Sequence, residues 1–162
     1  MISEKIQKAL NDQIQAEMSS SYLYLSMSAC FHSVIMDVMA HWMSVQAKEE
    51  NGHAMKMFGY LIERGGKVEL QAIEKPKTTW ASPLEAFKDT YKHEQYITSR
   101  INDLVKLAYD EGDVATLTFL QWFVTEQVEE EANASKIVAM LEMIGESKNG
   151  LFMLDHNLGK RE

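Results

Sequence analysis

The chain has little that would interrupt regular structure: one cysteine, two prolines and eight glycines among 162 residues. A single thiol, Cys30, cannot close an intrachain disulfide, so a disulfide-stapled fold is excluded. So few breakers leave runs too long for ordinary strands, and helix is favoured. No stretch approaches the roughly 20 consecutive apolar residues needed to span a bilayer. Basic charge is also scarce: the formal net charge is -8 and the pI about 5.1, which argues against nucleic acid and makes cations the natural guests. The segment from Met1 to Asp12 is amphipathic and charged, unlike the apolar core of an export signal. The cytoplasm is the expected location, with neither membrane nor nucleic acid as partner.

With 46% hydrophobic residues the chain can fill one core and not comfortably two, which predicts a single all-α domain over 1–162. Ser3 can cap a first helix whose apolar positions Ile6, Leu10 and Ile14 lead on to Tyr24 and Phe31. A second helix starts near Asp37 and carries Met39, Met43, Met57 and Leu61 until Gly65 and Gly66 stop it. Ser82, Pro83, Leu84 and Glu85 read as a capping box that opens a third helix through Phe87, Tyr91, Ile101 and Ala108. Asp113 can cap a fourth carrying Leu117, Leu120, Phe123, Ala134, Ile137 and Leu141, which Gly145 ends. Ser147 to Gly159 leaves room for one short helix with a docking or assembly role. The expected spans are about 4–34, 37–64, 83–111, 114–144 and 148–158.

The long connection decides the topology. A helix of about 28 residues is about 42 Å long at 1.5 Å per residue, and the roughly 18 residues from Gly65 to Ser82 can extend to about 60 Å. The connection can therefore run the length of the bundle and start the third helix parallel to the second. The other junctions are tight and imply antiparallel neighbours, giving a four-helix bundle with one long crossover.

Charged residues interrupt each apolar stripe at one place. The first helix reads Ile6, Leu10, Gln13, Glu17, Tyr24, Phe31; Glu50 and His53 fall between Met43 and Met57; Glu94 falls between Tyr91 and Ile101. The fourth helix reads Leu120, Phe123, Gln127, Glu130, Ala134, Ile137. One glutamate in an apolar stripe is ordinarily a snorkelling side chain, but coincidence on four helices at matching depth is not so explained. Four carboxylates in one buried layer are prohibitive without neutralisation, which two divalent cations would provide. Oxygen ligands with one imidazole suit iron or manganese better than structural zinc.

These residues resemble the ferritin-like di-iron carboxylate bundles. The resemblance narrows to bacterial non-haem ferritins on Ala16-Glu17-Met18, the run Glu49 to Ala54, Tyr91-Lys92-His93-Glu94 and the run Gln121 to Glu131, and it covers essentially the whole chain. It implies a first iron held by Glu17, Glu50 and His53, with Glu50 bridging to a second held by Glu94 and Glu130. Tyr24 would lie beside the centre and Gln127 near the oxygen-binding face. Glu49, Glu126, Glu129 and Glu130 resemble a third, inner iron site. The implied activity is oxidation of Fe(II) by dioxygen or hydrogen peroxide, with Fe(III) stored as a hydrated oxide core inside a homo-oligomeric, 24-subunit shell.

Departures from related patterns narrow the reading. Gln127, Val128, Glu129 and Glu130 stand where a symmetric di-iron oxidase carries a second Glu-x-x-His. Asn51 stands where haem-binding relatives place an axial methionine, so no haem is expected. Leu117 and Leu120 replace the carboxylates that line the three-fold pore of animal ferritins. A rubrerythrin-like peroxidase or di-iron oxygenase would need a second histidine or a cysteine module, and neither is present. An interaction bundle without metal would tolerate leucine at Glu17, Glu50 and Glu94. The methionines read as core filler, Trp122 as a packing residue, and His32, His41, His93 and His156 as surface or interface residues.

Overall fold

The computed structural model describes residues 2–159; Met1 and residues 160–162, the ends of the expected 1–162 domain, lie outside that range. Five helices follow one another: α1 (Glu4–Ser33), α2 (Asp37–Glu63), α3 (Pro83–Asp110), α4 (Val114–Ile144) and α5 (Lys148–Leu158). Their starts are set by local chemistry. Ser3, Ser82, Asp113 and Ser147 each accept a backbone N–H from the first turn that follows, satisfying donors that have no partner within the helix. The Ser82 box is reciprocal in effect, since Glu85 also accepts the Ala81 N–H at 2.8 Å. Gly65 (φ 72) and Gly145 (φ 57) turn the chain out of α2 and α4 through left-handed backbone that a side chain would disfavour.

α1 packs along α2 and α3 along α4, with α1 against α3 joining the two pairs. The connection between α2 and α3 is fastened along the flank of α1. Asn11 binds the Lys67 carbonyl and the Glu69 N–H, Gln15 donates to the Ala72 carbonyl, and Ser26 donates to the Lys77 carbonyl. Residue numbers rise together on both partners, so the crossover runs parallel to α1 and delivers α3 parallel to α2. Lys5 near the start of α1 meets Glu111 just after α3 at 2.8 Å, as that arrangement requires.

The core is divided. One apolar half contains Ile6, Leu10, Ile14, Met57, Leu61, Ile101, Leu104 and Leu120. The other contains Tyr24, Phe31, Met39, Met43, Phe87, Ile137, Leu141 and Leu154. On each long helix the residues between the two halves are polar: Glu17, then Glu50 and His53, then Glu94, then Gln127 and Glu130, all buried. The fold is thus two greasy plugs with a polar layer held between them.

α5 contacts α2 and α4. Leu154 is buried in the second half of the core, while Phe152 and Met153 remain exposed. Met36, at the start of α2, makes no side-chain cap; instead Asp155 of α5 accepts the Met39 N–H at 2.9 Å, a cap supplied from another helix. Asp155→Ala is expected to lower stability by about 1 kcal/mol. Thermal unfolding and amide exchange at Met39 measure this, and unchanged exchange there would count against the cap.

Candidate metal centre

The polar layer is built by helical register. Glu50 and His53 are three residues apart and share a face of α2, with His53 Nδ1 3.2 Å from Glu50 Oε2. Facing them, α1 supplies Glu17, α3 supplies Glu94 and α4 supplies Glu130; each of the four glutamates is 5% exposed or less. Ligand atoms converge within 4.8 Å in three groups: Glu17, Glu50 and His53; Glu50, Glu94 and Glu130; and His53, Glu126 and Glu130. Glu50 belongs to the first two, as a bridging carboxylate would.

Burial acts on these groups in one direction. It pushes Glu17 up to about 8, with the neighbouring Glu50 adding to the shift. It lifts Glu94 to about 7, although hydrogen bonds from Tyr24 and Gln127 pull the other way. Glu50 is held well above the usual carboxylate range by burial and then by Glu94 and Glu130. Tyr24 is also raised, by burial first and Glu94 second; it stays protonated and its hydroxyl donates to Glu94 Oε1. Two unit charges about 5 Å apart repel by about 3 kcal/mol at an effective dielectric of about 20, so the four glutamates cannot all ionise without cations.

The donor set fits hard cations. Four carboxylates and one imidazole offer oxygen-rich coordination with no thiolate. Glu17 Oε2 is a buried acceptor with no hydrogen-bond partner among the described residues, an atom that a cation would satisfy.

Of the other residues nominated from sequence, Gln127 donates towards the Glu94 carboxylate at 3.3 Å and carbonyl at 3.2 Å, and Tyr24 lies beside Glu94. Glu49, Glu126, Glu129 and Glu130 line one cavity of about 650 Å³ that opens beside the buried layer. Glu126 Oε1 is 4.0 Å from His53 Nε2. Among the described residues Glu49 and Glu129 join no group of converging ligand atoms.

One contact was not legible in the sequence, and the packing role read for Trp122 acquires partners. His93, read as a surface or interface residue, is half-buried: its ring lies edge-on to Tyr24 at 5.9 Å and its Nε2 is 2.7 Å from Ser20 Oγ. The Ser20 hydroxyl also lies 3.0 Å from the Ala16 carbonyl, and burial keeps the His93 ring neutral by lowering it to about 4. The adjacency of His93 to Glu94 was visible, but not that a neighbouring serine would pair with it. Trp122, 39% exposed, stacks edge-on against His53 at 5.4 Å and carries Lys56 over its ring at 3.4 Å.

These shifts predict an inverted pH profile for the metal-free protein. Groups whose folded pKa is raised bind protons that the unfolded chain has released, so stability falls as pH rises from the unfolded value towards the folded one. His93 opposes this between its ordinary 6.5 and about 4, which leaves pH 6.5 to 8 as the window governed by Glu17 and Glu94. The melting temperature should fall across that window, and Glu17→Gln should flatten the fall. A rising profile in the parent would contradict the assignment.

The family described as the ferritin-like domain matches residues 7–144. A bacterial non-heme ferritin of Bacteroides fragilis is 47% identical over 161 residues, 99% of this chain and 100% of the relative. One from Campylobacter jejuni is 43% identical, covering 96% and 93%. A solved open pore ferritin from the hyperthermophilic archaeon Archaeoglobus fulgidus superimposes with a TM-score of 0.99 at 52% identity over the whole of both chains. No helix among the described residues is long and apolar enough to cross a membrane. With its fold, its full-length relatives and its carboxylate layer in agreement, this chain belongs to the ferritin family.

Proposed function

We propose that the chain is a ferroxidase subunit that oxidises Fe(II) at the buried layer and stores Fe(III) as a hydrated oxide inside a 24-subunit shell. The observation that carries this reading is the convergence of Glu17, Glu50, His53, Glu94 and Glu130 within a bundle of the ferritin family. Iron is here the substrate. Glu17, Glu50 and His53 take one ion, and Glu50, Glu94 and Glu130 take the other. Glu49, Glu126 and Glu129, with Glu130, form an inner site on the way to the cavity of the shell.

Hard anionic oxygens stabilise Fe(III) over Fe(II), so oxidation is favoured where iron binds. Two Fe(II) each release one electron, and dioxygen takes both with two protons to leave as hydrogen peroxide; peroxide as oxidant takes two electrons and two protons to give water. Tyr24 stays protonated and holds Glu94 by hydrogen bond. Gln127 presents a neutral amide beside the second position, where another carboxylate would add repulsion. The single histidine makes the two positions unequal, and the all-carboxylate one is the easier to empty.

Aerobic Fe(II) addition tests this through the growth of Fe(III)-oxo absorbance. The parent should colour rapidly, and Glu50→Ala and His53→Ala should each lose about tenfold or more of the initial rate, since even outer partners of metal ligands cost about that much. Equal rates in parent and variants would remove the assigned site. Size-exclusion chromatography should place the parent hundreds of kilodaltons above its 18.5 kDa chain; elution as a monomer would contradict storage in a shell.

A further inference from the structure

Each carboxylate of the buried layer receives an N–H from a glutamine. Gln13 Nε2 donates to Glu17 Oε1 at 2.9 Å. Gln46 Nε2 donates to Glu50 Oε1 at 2.9 Å and to Glu130 Oε2 at 2.8 Å. Gln127 serves Glu94. Gln13 and Gln46 are each 1% exposed, and each precedes its glutamate by one helical turn, so amide and carboxylate share a face.

We propose that Gln13 and Gln46 are positioning residues that act unequally on the two cation positions, Gln13 on the Glu17 position and Gln46 more strongly on the Glu94–Glu130 position than on the one that shares Glu50 with it. This rests on the two-cation reading above. The assignment follows from what else each amide touches. Gln13 Oε1 accepts from Arg100 Nε at 2.9 Å, while Arg100 Nη2 binds the Asp12 carbonyl at 2.9 Å. The guanidinium, on α3, therefore locks the Gln13 carbonyl outward and its NH2 inward, towards Glu17 alone. Gln46 instead uses its NH2 to tie α2 to α4 through Glu50, which the two positions share, and Glu130, which belongs with Glu94 and not with Glu17.

Its own carbonyl oxygen is buried without a hydrogen-bond partner among the described residues. A buried unpaired acceptor is costly, so internal satisfaction does not account for Gln46; what its NH2 holds does. The chemistry also explains why the clamps are amides. Lysine or arginine in either place would neutralise the layer and compete with the incoming ion. A neutral amide orients the carboxylate and leaves its charge for the cation.

The test is anaerobic titration of the assembled protein with Co(II), which these ligands hold without oxidation, followed by its visible absorption bands. His53→Ala identifies the bands of the histidine-bearing position. Methionine replaces glutamine at similar length without an N–H donor. The parent should bind two Co(II) per chain. Gln13→Met should weaken the histidine-bearing position about tenfold or more, and Gln46→Met should do so to the other position, each with the larger loss confined to its own site. Arg100→Met, at a half-buried position, keeps Gln13 but frees its carbonyl, and should give a smaller loss at the histidine-bearing position if Gln13→Met fails to fold. Two Co(II) in the parent with equal losses at both positions, or with no losses, would overturn the proposal alone. Fewer than two Co(II) in the parent would overturn the two-cation reading and the proposal with it.

Discussion

The fold depends on a balance at its middle: four glutamates held in a dry layer where burial and mutual repulsion oppose their ionisation. Apolar packing flanks the layer, with Ile14, Ala54 and Ile97 on one side and Tyr24, Met43 and Phe87 on the other. The charges stay near one another because the long helices are fixed at both ends. Removing such charges in favour of hydrocarbon would ordinarily leave a bundle as stable or more so. Their presence is therefore a cost to the metal-free chain, and the proposed cations would offset it, because whatever binds only the folded state stabilises it.

The layer is nevertheless ordered. Gln13, Gln46 and Gln127 grip the carboxylates with neutral donors, Tyr24 adds a protonated phenol, and Arg100 anchors the outermost amide from half-buried ground. A ring of neutral donors can hold carboxylates near the geometry a metal needs without satisfying their demand for positive charge. The crossover is fastened along the length of α1 by Asn11, Gln15 and Ser26, and α5 reaches back to cap α2 through Asp155.

Much of this was legible in the sequence, for physical reasons. Helix starts announce themselves through Ser3, Ser82 and Asp113, because an uncapped first turn leaves donors that few residue types can satisfy. The crossover followed from the length of the segment ending at Ser82 set against the length of a helix. Glu17, Glu50, Glu94 and Glu130 stood out because each broke a periodic apolar stripe. What periodicity cannot carry is which buried polar group touches which. Gln13 was visible in its stripe yet had no stated role, since its partner Arg100 lies on another helix at no fixed spacing. Gln46 and His93 were missed on the same ground: a side-chain contact across helices depends on rotation and rise, to which spacing within one helix is blind. The role of Asp155 as a cap for α2 was likewise hidden, because capping residues are sought before a helix and not on a distant one.

On the proposed function, cations occupy the space between the converging glutamates. Anomalous diffraction from crystals soaked anaerobically in Fe(II) addresses it most directly. Two strong peaks are expected inside each bundle, about 3.5 to 4 Å apart, one beside Glu17 and His53 and the other beside Glu94 and Glu130, with Glu50 between. Peaks confined to exposed carboxylates, with the buried layer still gripped only by its glutamines, would contradict it.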